Sequence, residues 1–277
     1  MEQRETIIAA KRRKRDYWID LLRHKELFFI LTKRDISVRY KQTAIGASWS
    51  ILRPLMTVIV TVFAFGRLAK LPSEPNTPYV LMAFSGILIW LFFSQMFSQI
   101  SGSIVGGGNL VSKVYVPRLI IPLSSVGAGL LDFVIGLVMY FVIAFYFHFP
   151  IGWQVLCLPF FVLLAYLCAL GFGLFFATLN VRFRDIAQLV PFIVQFGFFV
   201  SPIAYSSTTT VAHQWFYKIY NLNPVVGIVD GFRWCLLGGN APFIWASFIP
   251  SVCTIFLVLF LSFRFFRSME DSFVDYL

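Results

Sequence analysis

The chain has 277 residues, of which 58% are hydrophobic, 18% aromatic and only 13% charged; ordinary soluble domains contain about twice this charged fraction. Together with a mean hydropathy of +0.78, this composition excludes a water-soluble globule. Apolar runs of about 20 residues match a hydrocarbon core of about 30 Å at about 1.5 Å per helical residue. The sequence therefore predicts an all-α, polytopic membrane protein with no separate soluble domain.

The net charge of +10 is concentrated near the N-terminus, where 12 of the 23 Lys and Arg residues precede position 44. A basic segment beside a first span is typical of a cytoplasmic N-terminus that attracts anionic lipid headgroups; a nucleic-acid-binding tail is the disfavoured alternative. The four cysteines are far apart, with no CxxC motif and no neighbouring His. Neither a disulfide nor a metal site is therefore predicted.

Residues 1–43 are assigned to this cytoplasmic basic tail and to an amphipathic segment that follows it. Tyr17–Arg39 mixes Trp, Leu and Phe with Lys, Glu and Arg at an imperfect helical spacing. The pattern predicts a helix lying in the inner membrane interface. A solvated helix packed on a partner subunit is the alternative.

Six spans are predicted within a transmembrane domain of residues 44–263, and residues 264–277 form a short cytoplasmic tail. The spans are Ala44–Phe65, Tyr79–Ile100, Leu119–Phe147, Gln154–Leu179, Ile186–Tyr205 and Pro242–Phe263. With both termini in the cytoplasm, the inner segments contain 18 Lys and Arg and the outer segments contain 4. The positive-inside rule therefore favours this orientation.

The first and fifth spans each have one polar face. At about 100° per residue, a common arc of the first span contains Gly46, Ser50, Arg53, Thr57 and Thr61, and a similar arc of the fifth contains Gln188, Phe192, Gln195 and Phe199. Polar side chains are costly in lipid, so both faces are predicted to line a substrate conduit. Hydrogen bonds between packed helices are the alternative.

The connection between the second and third spans is too polar to lie in lipid. Gly106-Gly107-Gly108-Asn109 predicts a flexible turn, followed by a short helix that ends at Pro117. A phosphate-binding P-loop is excluded, because the chain contains no Gly-Lys dipeptide.

Asp132 is the only carboxylate deep within a predicted span, and Arg53 is the only deep cation. A proton relay would require a second ionisable group at a matching depth, so a structural hydrogen bond or ion pair is the favoured role for Asp132. The chain has no paired carboxylates, His cluster or nucleophile with a base, so an enzyme acting alone is not expected.

The last outer segment contains the signals of a short helix. Asn223 is suited to the N-cap, Pro224 to the first helical position and Gly238 to the position after the end. A helix of about 14 residues is about 21 Å long and too short to cross the bilayer. It is predicted to be a re-entrant gate, with an interfacial cap as the alternative. The proposed outer-gate residues are Asn223, Pro224, Ile228, Asp230, Phe232 and Arg233, and Asp230 and Arg233 are expected to form an exposed pair.

Four motifs together resemble the type-two ATP-binding-cassette permeases that export polysaccharides. They are Arg34–Trp49 (RDISVRYKQTAIGASW), Leu110–Arg118 (LVSKVYVPR), Asn180–Ile186 (NVRFRDI) and Asn221–Pro224 (NLNP). Their order and spacing extend the resemblance from about residue 20 to about residue 265. The O-antigen export permeases of Gram-negative inner membranes are the most similar group, with capsular polysaccharide and teichoic acid permeases as alternatives.

The resemblance implies a homodimer of six-span subunits with two separate ATPase subunits on its cytoplasmic face. This chain would hold no cofactor, because ATP and Mg²⁺ would be bound by the ATPase. The substrate would be a lipid-linked polysaccharide; a proton-coupled carrier is the rival class. A segment after the second span is expected to dock in the ATPase, through Gly107, Asn109, Leu110, Lys113, Val114 and Tyr115.

Overall fold

The computed structural model describes residues 21, 23–41, 48–107, 117–208, 215–270 and 273. Within these ranges the chain forms α-helices joined by short turns, without a strand. We number the helices α1 (Lys25–Lys41), α2 (Ser48–Thr61), α3 (Tyr79–Gly106), α4 (Ile120–Ser124), α5 (Val126–Tyr146), α6 (Leu158–Arg182), α7 (Ile186–Val200), α8 (Tyr217–Tyr220), α9 (Pro224–Leu237) and α10 (Trp245–Met269).

Five helical segments are long and apolar enough to cross a membrane: Ser48–Leu68, Tyr79–Gly106, Ile120–Tyr146, Trp153–Arg182 and Trp245–Met269. The first continues α2 through a π-helical stretch, Val62–Leu68. The third joins α4 to α5, and the fourth begins with a 3₁₀ turn before α6. These five segments correspond to five of the six predicted spans, with ends displaced by a few residues.

The predicted fifth span is shorter in the structure than expected. The helix α7 has 15 residues, which gives a length of about 22 Å, and it ends at Val200 rather than Tyr205. Ser201 is extended, with φ −99° and ψ 153°, because the following Pro202 disfavours helical backbone at the residue before it. The chain therefore leaves the helix one turn before the predicted boundary.

The helix α3 lies at the centre of the bundle, since 83% of its apolar window is buried. It packs against α2, α5, α6, α7 and α9. Its contact with α6 is close because an added Cβ at Gly173 would lie 2.5 Å from Ile100 Cγ2. This axial position gives α2 and α7, the two helices with predicted polar faces, a common neighbour.

The helix α9 is enclosed by α3, α6 and α10, and all its residues except Trp234 are buried. Its predicted ends are confirmed: the Asn223 side chain accepts from the Val225 N–H at 3.1 Å, Pro224 is the first helical residue, and Gly238 follows the end with φ +57°. Local capping chemistry therefore fixes both ends of a helix whose side chains belong to the core.

The helix α1 lies alongside the start of the third spanning segment. Leu31 packs on Ile120 and Ile121, and Thr32 Oγ1 donates to the carbonyl of Ser124 at 3.1 Å. Phe29 and Ile30, on its other side, are about two-thirds exposed. One face of α1 is thus packed on the bundle, and an apolar face is left for lipid or another chain.

Close packing between α9 and α10 makes Gly227 a test of the fold. An added Cβ would lie 2.6 Å from the carbonyl oxygen of Ser247, so we expect Gly227→Ala to destabilise the protein by about 1–3 kcal/mol, as overpacked sites do. Thermal unfolding in detergent would then show a lower midpoint.

Gly102 on α3 is the matched control, because nothing lies within 4 Å of an added Cβ there. Gly102→Ala should leave the midpoint unchanged or raise it, since Ala is the better helix former by about 1 kcal/mol. Equal midpoints for the two variants would contradict the close contact at Gly227.

Candidate functional site

A buried carboxylate connects four helices near the cytoplasmic half of the bundle. Asp132 on α5 accepts hydrogen bonds from the hydroxyls of Tyr40 on α1, at 2.6 Å, and Ser50 on α2. Its other oxygen accepts from Gln95 Nε2 on α3 at 2.9 Å and lies 3.1 Å from Arg39 Nη2. We call Asp132 and these four partners the Asp132 cluster.

The predicted structural role of Asp132 is confirmed by these contacts, but its cationic partner is Arg39 rather than Arg53. Burial and the hydrogen bond to Asp132 raise the pKa of Tyr40, so the phenol remains protonated and donates. Arg39 was missed because the sequence places it in the basic cytoplasmic segment. The helical continuation of α1 to Lys41 moves Arg39 and Tyr40 into contact with the bundle.

A cavity of about 580 Å³ lies beside the Asp132 cluster, between α2, α3 and α5. Its polar lining is Arg39, Ser50, Arg53, Thr57, Gln95 and Asp132. Its apolar lining is Trp49, Leu52, Pro54, Met56, Leu88, Leu91, Phe92, Gly129 and Phe133. Three of the four conduit residues predicted on the first span therefore face this cavity, whereas Thr61 is buried outside its lining.

The polar face predicted on the fifth span is exposed on the surface of the subunit. Phe192 and Phe199 are 55% and 59% exposed, and Gln188 and Gln195 are also exposed. The opposite side of α7 packs on α3, where Phe198 contacts the ring of Trp90. Within one subunit the two predicted conduit faces are therefore separate, since the α7 residues do not line the cavity.

At the outer end, Arg233 of α9 is buried and binds the turn that follows α7. Its guanidinium donates to the carbonyls of Pro202 at 2.7 Å and Tyr205 at 3.2 Å. Asp230 accepts from Ser207 at 2.8 Å and from Ser247 on α10 at 3.0 Å. The expected exposed pair between Asp230 and Arg233 is therefore wrong: both side chains are buried and bond to other groups.

Glu74, in the connection between α2 and α3, is a further buried charge that sequence reasoning missed. Its carboxylate accepts from the hydroxyls of Ser206 and Thr208. The segment 201–208 is thus connected to α9 through Arg233 and Asp230 and to the outer end of the first span through Glu74. A lone acidic residue in an outer loop gives no sequence signal for such burial.

The remaining predicted site residues have different standings. In the outer-gate set, Pro224, Ile228 and Phe232 are buried, and Phe232 packs on Phe133 of α5. In the docking segment, Gly107 ends α3, and its N–H donates to the Ser103 carbonyl at 2.9 Å. The other docking residues lie outside the described ranges: Asn109, Leu110, Lys113, Val114 and Tyr115.

Comparison with known proteins gives consistent relatives over most of the chain. An O-antigen export system permease protein, RfbA, of Myxococcus xanthus is 27% identical over 77% of this chain and 81% of its own length. A Klebsiella pneumoniae protein of the same name is 25% identical over 91% of this chain and 95% of its own length. The polysialic acid transport protein KpsM of Escherichia coli is 22% identical over 86% of this chain and 92% of its own length.

The family model described as ABC-2 type transporter matches residues 26–237. The match begins one residue into α1 and ends with the last residue of α9, so it includes the Asp132 cluster, the cavity and the buried outer charges. The chain is thus a multi-pass, all-helical membrane protein that belongs to the ABC-2 type transporter family.

Proposed function

We propose that this chain is the membrane-spanning permease subunit of an ATP-driven exporter that moves lipid-linked polysaccharide, most specifically O-antigen, across the bacterial inner membrane. The observation that carries the proposal is a match to O-antigen export permeases over up to 95% of their length. A capsular polysaccharide is the second candidate substrate, because the Escherichia coli polysialic acid transport protein also matches over nearly its whole length.

The proposed energy source is ATP hydrolysis on a separate ATPase, with ATP and Mg²⁺ bound by that partner in two copies. The permease itself acts as a transport subunit rather than an enzyme. The docking segment connects α3 to α4, two helices that pack against each other. A force applied there would reach the axial helix α3 and the third spanning segment together, which is why we assign ATPase coupling to this connection.

The proposed pathway lies between two copies of the chain. In a single subunit the aromatic and amide face of α7 is exposed, and amides in contact with lipid are unfavourable. A two-fold homodimer would let two α7 faces, together with the polar faces of α2, enclose one conduit. At its outer end α9 would act as the gate element, because its buried charges position the turn after α7.

Reconstitution tests this function directly. We expect the purified permease, combined in vesicles with its ATPase, to transfer lipid-linked polysaccharide in an ATP-dependent manner. Replacing Leu110 and Val114 together with Asp should abolish transfer and weaken ATPase binding, because charges would disrupt an apolar docking surface. Full transfer by this double variant, or transfer without any ATPase, would contradict the proposed mechanism.

The conduit assignment predicts that α7 variants separate transport from ATP hydrolysis. Gln195→Leu and Phe199→Ala should each lower polysaccharide transfer severalfold while ATP hydrolysis changes little, because they alter the pathway and leave the ATPase contact intact. Phe256→Ala on α10 is the control, since this side chain is similarly exposed, at 54%, but lies outside the proposed conduit. A similar loss in all three variants would argue that α7 has no special role.

The proposed orientation places both termini in the cytoplasm. In a variant lacking the four native cysteines, Pro75→Cys should react with a membrane-impermeant thiol reagent in intact cells. Ser268→Cys should react only after permeabilisation, because the 18 basic residues of the inner segments hold that side inside. Both positions are exposed in the structure, so the reverse labelling pattern would overturn the orientation.

A further inference from the structure

We propose that the cavity between α2, α3 and α5 is a binding site for a membrane phospholipid whose headgroup carries a single negative charge. The proposal concerns a site inside one subunit and does not depend on which polysaccharide the protein exports. It follows from three features of the cavity: its charge, its two kinds of wall and its exposure to the lipid phase.

The charged lining of the cavity has a net charge of +1. Among the described residues, Arg39, Arg53 and Asp132 are its charged members. Asp132 is already paired with Arg39 at 3.1 Å and accepts three hydrogen bonds. The guanidinium of Arg53 is given no carboxylate or carbonyl partner within the described part of the chain, so one positive charge faces the cavity without a neutralising group.

A phosphodiester is the anion that fits this charge. One negative charge balances the unneutralised arginine, and phosphate oxygens match the planar donors of a guanidinium. Ser50, Thr57 and Gln95 supply further polar groups at the same end. A diphosphate would bring more negative charge than the cavity neutralises, and Asp132 would repel the excess.

The rest of the cavity wall is suited to a hydrocarbon chain. Leu88, Leu91, Phe92 and Phe133 form an apolar surface on α3 and α5. The volume of about 580 Å³ falls within the range of about 300–1,000 Å³ that small-molecule sites occupy. An apolar wall beside a cationic end matches the two chemistries of a phospholipid.

The cavity is accessible from the membrane because two of its lining residues lie on the exposed side of α2. Trp49 is 59% exposed and Met56 is 54% exposed. Arg53 is also exposed and lies early in α2, five residues after Ser48, so its charge is near the inner end of the span. A lipid of the inner leaflet can therefore place its headgroup at Arg53 and its chain along the apolar wall.

Native mass spectrometry of the full-length permease in detergent tests this site. We expect phosphatidylglycerol, a monoanionic lipid, to bind about tenfold more tightly than zwitterionic phosphatidylethanolamine. Arg53→Gln should remove most of this preference, since losing one charge-assisted hydrogen bond corresponds to about tenfold in affinity. Thr57→Phe, which fills the cavity without changing its charge, should lower binding of both lipids.

Arg67→Gln is the matched control, because Arg67 is an exposed arginine at the other end of the same segment and does not line the cavity. Its phosphatidylglycerol affinity should equal that of the unaltered protein. An equal loss in the Arg67 and Arg53 variants would show general surface attraction and overturn the site. The absence of any preference for phosphatidylglycerol would do the same.

Competition with farnesyl diphosphate separates a membrane lipid from the diphosphate headgroup of a lipid-linked substrate. We expect farnesyl diphosphate to compete poorly with phosphatidylglycerol in the unaltered protein. If it displaces phosphatidylglycerol more effectively than unlabelled phosphatidylglycerol does, and Arg53→Gln removes this effect, the cavity is a substrate site and the phospholipid assignment is wrong.

Discussion

A carboxylate inside an apolar bundle must be hydrogen-bonded or paired, because an unpartnered charge there costs several kcal/mol. Asp132 meets this requirement with side chains from α1, α2 and α3, so satisfying one group fixes the inner ends of four helices relative to each other. The position of α1 along the third spanning segment follows from it, and so does the cavity between α2, α3 and α5. Removing the carboxylate would leave Arg39 as a buried cation without its partner.

The outer half of the molecule follows the same rule with the opposite charge. Arg233 is 2% exposed and donates to backbone carbonyls that the break after α7 leaves without helical partners. A guanidinium can satisfy several carbonyls at once, because it presents five donors in a plane. The shortened α7 and the buried charge of α9 are therefore one structural solution, and Glu74 extends it to the connection after the first span.

The sequence predicts the elements well wherever one local signal decides the outcome. Hydrophobic length locates five spanning segments, and the Asn223-Pro224 start and Gly238 end define α9 because capping depends on neighbouring residues alone. The partner of Asp132 could not be found this way, since Arg39 is 93 positions away in a segment whose charge also fits a cytoplasmic tail. Burial of Asp230 and Arg233 depends on the long-range packing of α9, which no local pattern contains.

The exposed face of α7 is the part of the subunit whose surroundings matter most for transport. Its neighbours α3 and α6 bury only one side of it, which leaves two amides among exposed aromatic rings. Facing hydrocarbon, each amide would lack hydrogen-bond partners; facing water or a glycan, it would have them, and the rings would pack against sugar C–H groups. This difference in solvation favours a wet, protein-enclosed environment for α7, and only a second subunit or the substrate itself can provide one.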